Sequence, residues 1–271
     1  MPGSEQSGPA AEPGGAWLRR LPGTEGAGGL RLFCFPYAGA GASVFRGWGA
    51  DLPEDVEAFG VQPPGREDRF HEPPFTSVDA LLDALLLDLL PYLDRPFAFF
   101  GHSMGALICW EAAQRLRSMR APSPVRIIVS GCRAPHRHKS HAPADLDLSE
   151  AGLIDKLRRL NGTPEELLHS ADFRRFLLPT FRADVQLFAT YAHRAEHSLN
   201  CPVTAFGGIE DPRVREDQIR AWGDLTTGPC DVRMFPGGHL FLNETRASVV
   251  RAVARALTDA PRSAARSFDS M

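Results

Sequence analysis

One short stretch of the sequence has the composition of a nucleophile turn. Residues 101–105 read GHSMG, with glycine two positions before and two positions after Ser103. The apolar run 97–100 precedes this stretch, and a segment with helical periodicity follows it. A tight strand-to-helix turn exposes a serine hydroxyl at the end of the strand, and flanking glycines leave room for the backbone to turn. We therefore predict that Ser103 is a nucleophile.

A serine hydroxyl needs a general base, and nine histidines compete for that role. His239 follows the apolar run 231–235 across a Pro-Gly-Gly turn, which would set it at the carboxyl edge of a parallel sheet. That edge is where Ser103 is expected. His102 is next to the nucleophile, and we expect it to pack or to form a hydrogen bond near the turn. The other histidines lie in polar surroundings typical of solvated side chains. We predict that His239 is the base.

An oriented carboxylate should complete the set, between the serine and the histidine in chain order. Asp211 follows the apolar run 203–207 in the sequence GGIEDP. Some relatives of this fold place their acid after the strand that corresponds to the run 125–130. In this chain the sequence there is GCRAP, which contains no carboxylate. Glu210 is the nearest competitor. We predict Asp211 as the acid and keep Glu210 as the alternative.

Acyl transfer also needs donors for the oxyanion, usually backbone N–H groups. Residues 35–41 read FPYAGAG after the first strong apolar run, and small residues allow the backbone to approach an oxygen closely. A phosphate-binding loop is disfavoured because the lysine of a P-loop is missing. A plain glycine-rich turn stays open. We predict that the N–H groups of Ala38 and Met104 form the oxyanion hole.

The candidate site residues must be positioned by strands and helices. Along the chain, apolar runs typical of strands alternate with segments of helical periodicity. Such alternation indicates an α/β fold, with a mostly parallel sheet and helices on both faces. Strands are predicted at 30–35, 56–61, 97–100, 125–130, 203–207 and 231–235, and helices at 78–93, 105–119, 213–225 and 244–257.

Three segments fall outside this alternation. Residues 132–201 read as helix and loop without a strand, which predicts a helical lid inserted over one end of the sheet. Residues 1–29 contain eight glycines and four prolines, and we predict a flexible N-terminal tail. Residues 259–271 are predicted as a second flexible tail, which leaves one domain at 30–258.

Composition excludes several classes of function. The formal charge of −3 argues against a nucleic-acid binder, and no apolar run has the length of a membrane span. Five cysteines without CxxC spacing favour a reducing cytoplasm over a disulfide framework or a zinc site. His136, His138 and His141 share one loop but lack nearby carboxylate or thiolate ligands at regular spacing. We expect no metal and no cofactor.

An ordered series of motifs resembles the type II thioesterases that accompany modular polyketide and nonribosomal peptide synthases. The resemblance covers residues 30–257. It rests on FPYAGAG (35–41), PPGRE (63–67), GHSMG (101–105), FLLPTFRAD (176–184), GGIEDP (207–212) and PGGHLFL (236–242). Tyr37 is a departure, because many relatives have histidine there.

The resemblance implies an α/β-hydrolase fold with a mobile helical lid. It implies hydrolysis of acyl groups held as thioesters on the phosphopantetheine arm of an acyl or peptidyl carrier protein. We expect the enzyme to be a monomer. The family's triad maps onto Ser103, Asp211 and His239, and its oxyanion amides onto Ala38 and Met104. Alternatives are a general carboxylesterase or lipase, a medium-chain fatty acyl thioesterase of fatty acid synthase, and a non-catalytic binding subunit.

Two further sets of residues are candidates for substrate contacts, each with an ordinary structural alternative. Aromatic and apolar residues of the lid would line an acyl chamber or simply fill a core: Phe173, Phe176, Leu177 and Phe181. Basic residues would form a docking rim for an acidic carrier protein or a solvated face: Arg66, Arg69, Arg133, Arg137 and Lys139.

Overall fold

A single seven-stranded sheet organises the chain. The computed structural model describes residues 15–25, 28–194 and 198–260. The strands lie in the order β1-β3-β2-β4-β5-β6-β7, and all neighbours are parallel except β1, which is antiparallel to β3. Their bounds are β1 Leu18–Arg20, β2 Leu30–Phe35, β3 Val56–Val61, β4 Phe97–His102, β5 Arg126–Ser130, β6 Val203–Gly208 and β7 Cys230–Phe235.

Eight α-helices are present in the described residues. Their bounds are α1 Val78–Leu89, α2 Met104–Ser118, α3 Glu150–Leu160, α4 Glu165–His169, α5 Ala171–Thr190, α6 Glu216–Arg220, α7 Phe241–Glu244 and α8 Arg246–Thr258. The predicted helix 213–225 is shorter than expected, because α6 passes into a 3-10 turn at Ala221–Leu225.

Two apolar layers cover the sheet. On one face, α1 and α2 pack on the strands, with Trp110 and Trp222 fully buried. On the other face, α8 packs with Phe45 and Trp48. Strands β2 to β6 are buried along their whole length because helices cover both faces. The predicted α/β fold class is thereby confirmed.

Three helices, α3 to α5, lie between β5 and β6, in the segment predicted as the lid. They share a small core of their own, formed by Leu153, Leu157, Leu168, Leu178 and Phe181. We call this segment, residues 132–201, the lid. The lid lies at the carboxyl end of β5, at the edge of the sheet where the predicted site residues also lie.

The prediction of a flexible tail over 1–29 is wrong for residues 17–21. Trp17, Leu18 and Leu21 are buried, and β1 forms the edge of the sheet against β3. The Trp17 ring stacks on Phe75, with ring centroids 5.9 Å apart. A few large apolar residues therefore anchor a segment whose glycine and proline content suggested disorder. Residues 1–14 lie outside the described residues.

The second predicted tail begins at residue 259, and the prediction is wrong for Ala260, which packs in the core. Helix α8 ends at Thr258, and Ala260 is buried. The remainder of the second predicted tail, residues 261–271, lies outside the described residues. Among the described helices, none combines the length and the hydropathy needed to cross a bilayer.

Candidate active site

Ser103 occupies a sharp turn between β4 and α2. Its backbone has φ +54° and ψ −116°, an unfavourable conformation for a residue with a side chain. A Cβ atom at Gly101 would lie 2.2 Å from the Gly105 carbonyl oxygen, and one at Gly105 would lie 2.1 Å from the Phe35 carbonyl oxygen. Both glycines are thus required by the close approach of backbone to backbone.

The three residues predicted as a triad form one hydrogen-bonded chain. The Ser103 hydroxyl donates to His239 Nε2 at 2.9 Å, and His239 Nδ1–H donates to Asp211 Oδ2 at 2.7 Å. Ser103 follows β4, Asp211 follows β6, and His239 follows β7, so the parallel sheet brings the three strand ends to one edge. This geometry can move a proton from the serine to an oriented imidazole.

Asp211, predicted as the acid, contacts His239, whereas the alternative Glu210 is engaged elsewhere. The Asp211 side chain is fully buried, and its second oxygen accepts a hydrogen bond from the Arg213 N–H at 2.8 Å. Glu210 instead accepts a hydrogen bond from the Gly237 N–H in the turn before the histidine. Both acidic residues therefore shape the same pair of loops, but only Asp211 contacts His239.

A second buried histidine supports the first. His102 Nε2 lies 2.9 Å from the His239 carbonyl oxygen, which can only accept, so Nε2 carries the proton. Its Nδ1 then accepts from the Ser130 hydroxyl at 2.9 Å. Burial lowers the pKa of His102 well below its usual value, and the neighbouring His239 lowers it further. His102 is thus held neutral, in line with the expected hydrogen bond near the turn.

The two predicted oxyanion donors lie beside Ser103. Ala38 follows β2 and Met104 follows β4, and these two strands are neighbours. The sheet extends from β2 towards β3 on one side and from β4 towards β5 on the other, so the strand order reverses between them. The crevice at such a switch point is a common ligand site in α/β proteins. Both residues line the same cavity as Ser103 and His239. Within the described residues, neither backbone N–H donates a hydrogen bond to another protein group.

A buried ion pair fixes the loop that contains Ala38. Asp184, on α5, accepts from the Gly39 N–H at 2.7 Å and from both terminal nitrogens of Arg66 at 2.7 and 3.0 Å. Arg66 also donates to the Ala40 carbonyl oxygen at 3.1 Å. Asp184 is not among the residues predicted from the sequence. The only signal for it was its place at the end of the motif FLLPTFRAD.

Arg66 and Arg69 do not belong to a docking rim. Arg66 is buried against Asp184, and Arg69 is buried between Glu72 and the ring of Trp17. Both guanidinium groups satisfy internal partners, which explains why they stay away from solvent. Of the other three candidates, Arg137 and Lys139 are exposed and Arg133 is half-buried.

Two neighbouring cavities share part of their walls, and one of them is lined by Ser103. The first, of about 600 Å³, is lined by Ser103 and His239, and we call it the serine cavity. The second, of about 560 Å³, lies between the loop after β2 and helix α5, and we call it the side cavity. Both volumes suit a small organic ligand. Residues shared by their walls are Tyr37, Ala38, Leu160 and Leu240.

The predicted aromatic contacts are divided between these cavities. Phe181 lines the serine cavity and also belongs to the core of the lid, so both of its proposed roles are compatible. Phe173 and Phe176 line the side cavity, together with Leu177. The Phe176 ring is about half exposed and contacts Phe70, with ring centroids 5.2 Å apart.

The described residues contain no group of three or more side chains arranged to hold a metal ion. All five cysteines are free thiols, and four of them are buried. Burial raises the pKa of Cys132 to about 12, and it also raises the pKa of Cys34 and Cys109. These thiols are therefore poor nucleophiles.

Comparison with known proteins gives consistent matches. The model of the family described as "Thioesterase domain" matches residues 30–259. The gramicidin S biosynthesis protein GrsT of Aneurinibacillus migulanus is 39% identical over 228 residues, which are 84% of this chain and 89% of that protein. Thioesterase PikA5 of Streptomyces venezuelae is 38% identical over 234 residues, which are 85% of this chain and 81% of that protein.

A solved structure agrees with these matches. The type II thioesterase BorB from the borrelidin biosynthetic cluster superimposes with a TM-score of 0.80 at 34% identity. The match covers 89% of this chain and 97% of that chain.

Proposed function

The chain belongs to the thioesterase domain family, and from that membership we propose that it is a type II thioesterase of a polyketide or nonribosomal peptide pathway. Its substrates are acyl groups held as thioesters on the phosphopantetheine arm of a carrier protein. The observation that carries this proposal is the hydrogen-bonded chain Ser103–His239–Asp211 at the wall of the serine cavity.

Acylation begins at the Ser103 hydroxyl. As its oxygen attacks the thioester carbonyl carbon, His239 Nε2 takes the hydroxyl proton, and the Asp211 carboxylate stabilises the imidazolium. The carbonyl oxygen becomes an oxyanion, and the backbone N–H groups of Ala38 and Met104 stabilise it. Collapse of the tetrahedral intermediate breaks the carbon–sulfur bond. His239 returns the proton to the sulfur, and the pantetheine thiol leaves.

Deacylation repeats these steps with water. His239 takes a proton from a water molecule as its oxygen attacks the acyl-serine carbonyl, and the same amides hold the second oxyanion. Breakage of the carbon–oxygen bond to Ser103 returns the proton to the serine and releases the free acid. The buried Asp211 keeps the imidazole in the tautomer that both steps require.

The partner is an acyl or peptidyl carrier protein, and neither a nucleic acid nor a membrane takes part. The five free thiols suit a reducing compartment, and we place the enzyme in the cytoplasm. The enzyme acts as a monomer, which light scattering would test.

The test measures hydrolysis of carrier proteins loaded with several acyl groups, each followed by mass spectrometry of the carrier. We expect release by the wild type and none by Ser103→Ala. The same acyl groups as simple oxygen esters serve as the comparison. Faster hydrolysis of the oxygen esters would favour a general carboxylesterase and overturn the proposal, as would unchanged thioester hydrolysis by Ser103→Ala.

A further inference from the structure

The serine cavity and the side cavity differ in the charge of their walls. The wall of the serine cavity contains the cationic side chains of Lys156, Arg159 and Arg213, together with His141. Its one carboxylate, Asp184, is already neutralised by Arg66. The serine cavity therefore has an excess of positive charge in its wall.

The side cavity has no such excess. Its charged lining residues are Arg66, which is paired with Asp184, and Glu67, which accepts a hydrogen bond from the Ser43 hydroxyl at 2.6 Å. The remaining lining is mostly apolar and includes Phe173, Phe176 and Leu177. An anionic part of a ligand is thus favoured in the serine cavity, and an apolar part in the side cavity.

The cations of the serine cavity have donors left for a ligand. Lys156 and Arg159 are three positions apart on α3, so their side chains lie on one face of that helix. Lys156 donates to the Asp147 carbonyl oxygen at 3.0 Å and keeps two further N–H donors. In the described part of the chain, neither Arg159 nor Arg213 forms an ion pair. The carboxylate of nearby Asp211 is already bonded to His239.

Neighbouring Arg158 shows the contrast. It pairs with Asp155 at 2.8 Å and with Glu165 at 2.6 Å, and it does not line either cavity. The same helix thus carries Arg158, which forms surface ion pairs, and Arg159, which lies at the cavity wall and forms no ion pair with any residue that the structure describes. Arg158 is a matched control for Arg159 in charge and in helix position.

We propose that Lys156, Arg159 and Arg213 form a phosphate-binding subsite, which receives the phosphate of the phosphopantetheine arm while the thioester carbonyl lies at Ser103. This inference rests on the proposed function. The arm has its thioester at one end and its phosphate at the other, so a phosphate subsite in the wall of the serine cavity sets the direction of the substrate. The acyl group is then directed towards the side cavity. Guanidinium and ammonium groups suit a phosphate because their hydrogen bonds to it are charge-assisted.

The experiment compares acyl-phosphopantetheine with acyl-pantetheine, which lacks only the phosphate. We expect the wild type to prefer the phosphorylated substrate about tenfold in kcat/KM, the size of one charge-assisted contact. In the double variant Lys156→Ala/Arg159→Ala, which keeps only Arg213, the ratio of the two kcat/KM values should fall towards one. In Arg159→Glu it should fall below one, because the new carboxylate repels phosphate. Arg158→Ala should keep the wild-type ratio.

Acyl-carrier protein and acyl-coenzyme A distinguish the two sources of an arm phosphate. In the carrier protein the phosphate is a diester of serine, and in coenzyme A it continues into an adenine nucleotide. We expect the double variant to lose kcat/KM on acyl-carrier protein about as much as on acyl-phosphopantetheine. A loss confined to acyl-coenzyme A would overturn the assignment to the carrier-bound arm.

Failure of the subsite is distinguishable from failure of the proposed function. Equal kcat/KM of the wild type on the two small thioesters would overturn the subsite and leave the thioesterase activity intact. An unchanged preference in the double variant would do the same. If the wild type hydrolyses no thioester, the proposed function fails. Calorimetry with unacylated phosphopantetheine would still test the subsite, since the double variant should bind it about tenfold more weakly.

Discussion

The Asp184 carboxylate of α5 accepts a hydrogen bond from the Gly39 N–H at 2.7 Å and so joins the lid to the loop that contains Ala38. The same carboxylate pairs with Arg66, which donates to the Ala40 carbonyl oxygen. Gly39 has φ +80°, and a Cβ atom there would lie 3.3 Å from the Phe181 ring. The position of the Ala38 amide therefore depends on a helix of the lid as well as on the sheet.

Replacing the buried ion pair by apolar residues should separate its role in folding from its role in catalysis. Asp184→Leu alone leaves the Arg66 cation buried without a partner and should cost about 3–5 kcal/mol of unfolding free energy. The double variant Arg66→Met/Asp184→Leu should recover most of that stability. It still lacks the acceptor for the Gly39 N–H, so we expect kcat to fall about 10²-fold with little change in KM.

Urea unfolding and steady-state kinetics on an acyl-pantetheine thioester check this expectation. A stable double variant with wild-type kcat would contradict the role of Asp184 in positioning the oxyanion loop. Thr180, which donates from α5 to the Gly65 carbonyl oxygen, offers a control. Thr180→Val removes another lid-to-loop hydrogen bond but leaves the Gly39 contact intact, and it should lower kcat much less.

Asp211→Asn should reduce kcat about 10⁴-fold, because an amide facing His239 Nδ1 favours the wrong imidazole tautomer. Glu210→Gln is its matched control, one residue away and also in contact with the loop before His239. We expect Glu210→Gln to keep kcat within a few-fold of wild type. Thioester hydrolysis measured for both variants tests the assignment, and the reverse order of effects would transfer the acid role to Glu210.

The main site residues were predictable because each follows a strand with a clear local signal. Ser103, Asp211 and His239 come after β4, β6 and β7, and a parallel sheet brings their carboxyl ends to one edge. Their catalytic roles stay predictions. Local sequence also predicted six of the seven strands, since a buried parallel strand is a nearly continuous apolar run.

Features that depend on long-range contacts were not predictable. Arg66 and Asp184 are 118 residues apart, and each alone looks like a charged residue of a loop or a helix surface. Strand β1 has only three residues, too few to show an alternating pattern. Trp17 is a large apolar residue of the predicted tail, but its packing on Phe75 and Arg69 depends on contacts with residues more than 50 positions along the chain.

Burial of neutral His102 predicts that the protein loses stability in acid. The pKa of His102 is well below its usual 6.5 in the folded state, so the unfolded chain binds the proton first as the pH falls. The stabilisation is therefore complete above about pH 6.5 and declines below it, by at most about 1.4 kcal/mol per pH unit. Burial lowers the pKa of His138 to about 4, so His138 adds to the loss of stability as the pH falls.

The variant His102→Phe cannot bind that proton. Urea unfolding at several pH values between 7.5 and 5 should show a shallower acid decline for His102→Phe than for the wild type. Its stability at pH 7.5 should be lower, since the Ser130 hydroxyl and the His239 carbonyl lose their partner. Equal pH slopes for the two proteins would show that His102 does not contribute to the acid sensitivity.

Anchoring of the N-terminal segment can be measured by truncating Trp17. Its side chain is nearly fully buried between Phe75 and the Arg69 guanidinium, so Trp17→Ala should cost about 3–5 kcal/mol of unfolding free energy. Arg19→Ala, two residues along β1, removes an exposed ion pair with Asp68 and should cost less than about 1 kcal/mol. Small and similar losses of unfolding free energy in both variants would support the predicted flexible tail.

The division of the aromatic residues between two cavities predicts two kinds of effect on acyl-chain preference. Phe176 lines the side cavity and is half exposed, so Phe176→Ala should mainly change KM for long acyl chains with little loss of stability. Phe181 packs in the lid core beside Gly39, so Phe181→Ala should cost about 3–5 kcal/mol and lower kcat for every chain length. Steady-state kinetics with acyl-pantetheines from acetyl to decanoyl would measure both. A uniform loss of kcat in Phe176→Ala, with no dependence on chain length, would contradict the assignment of the acyl group to the side cavity.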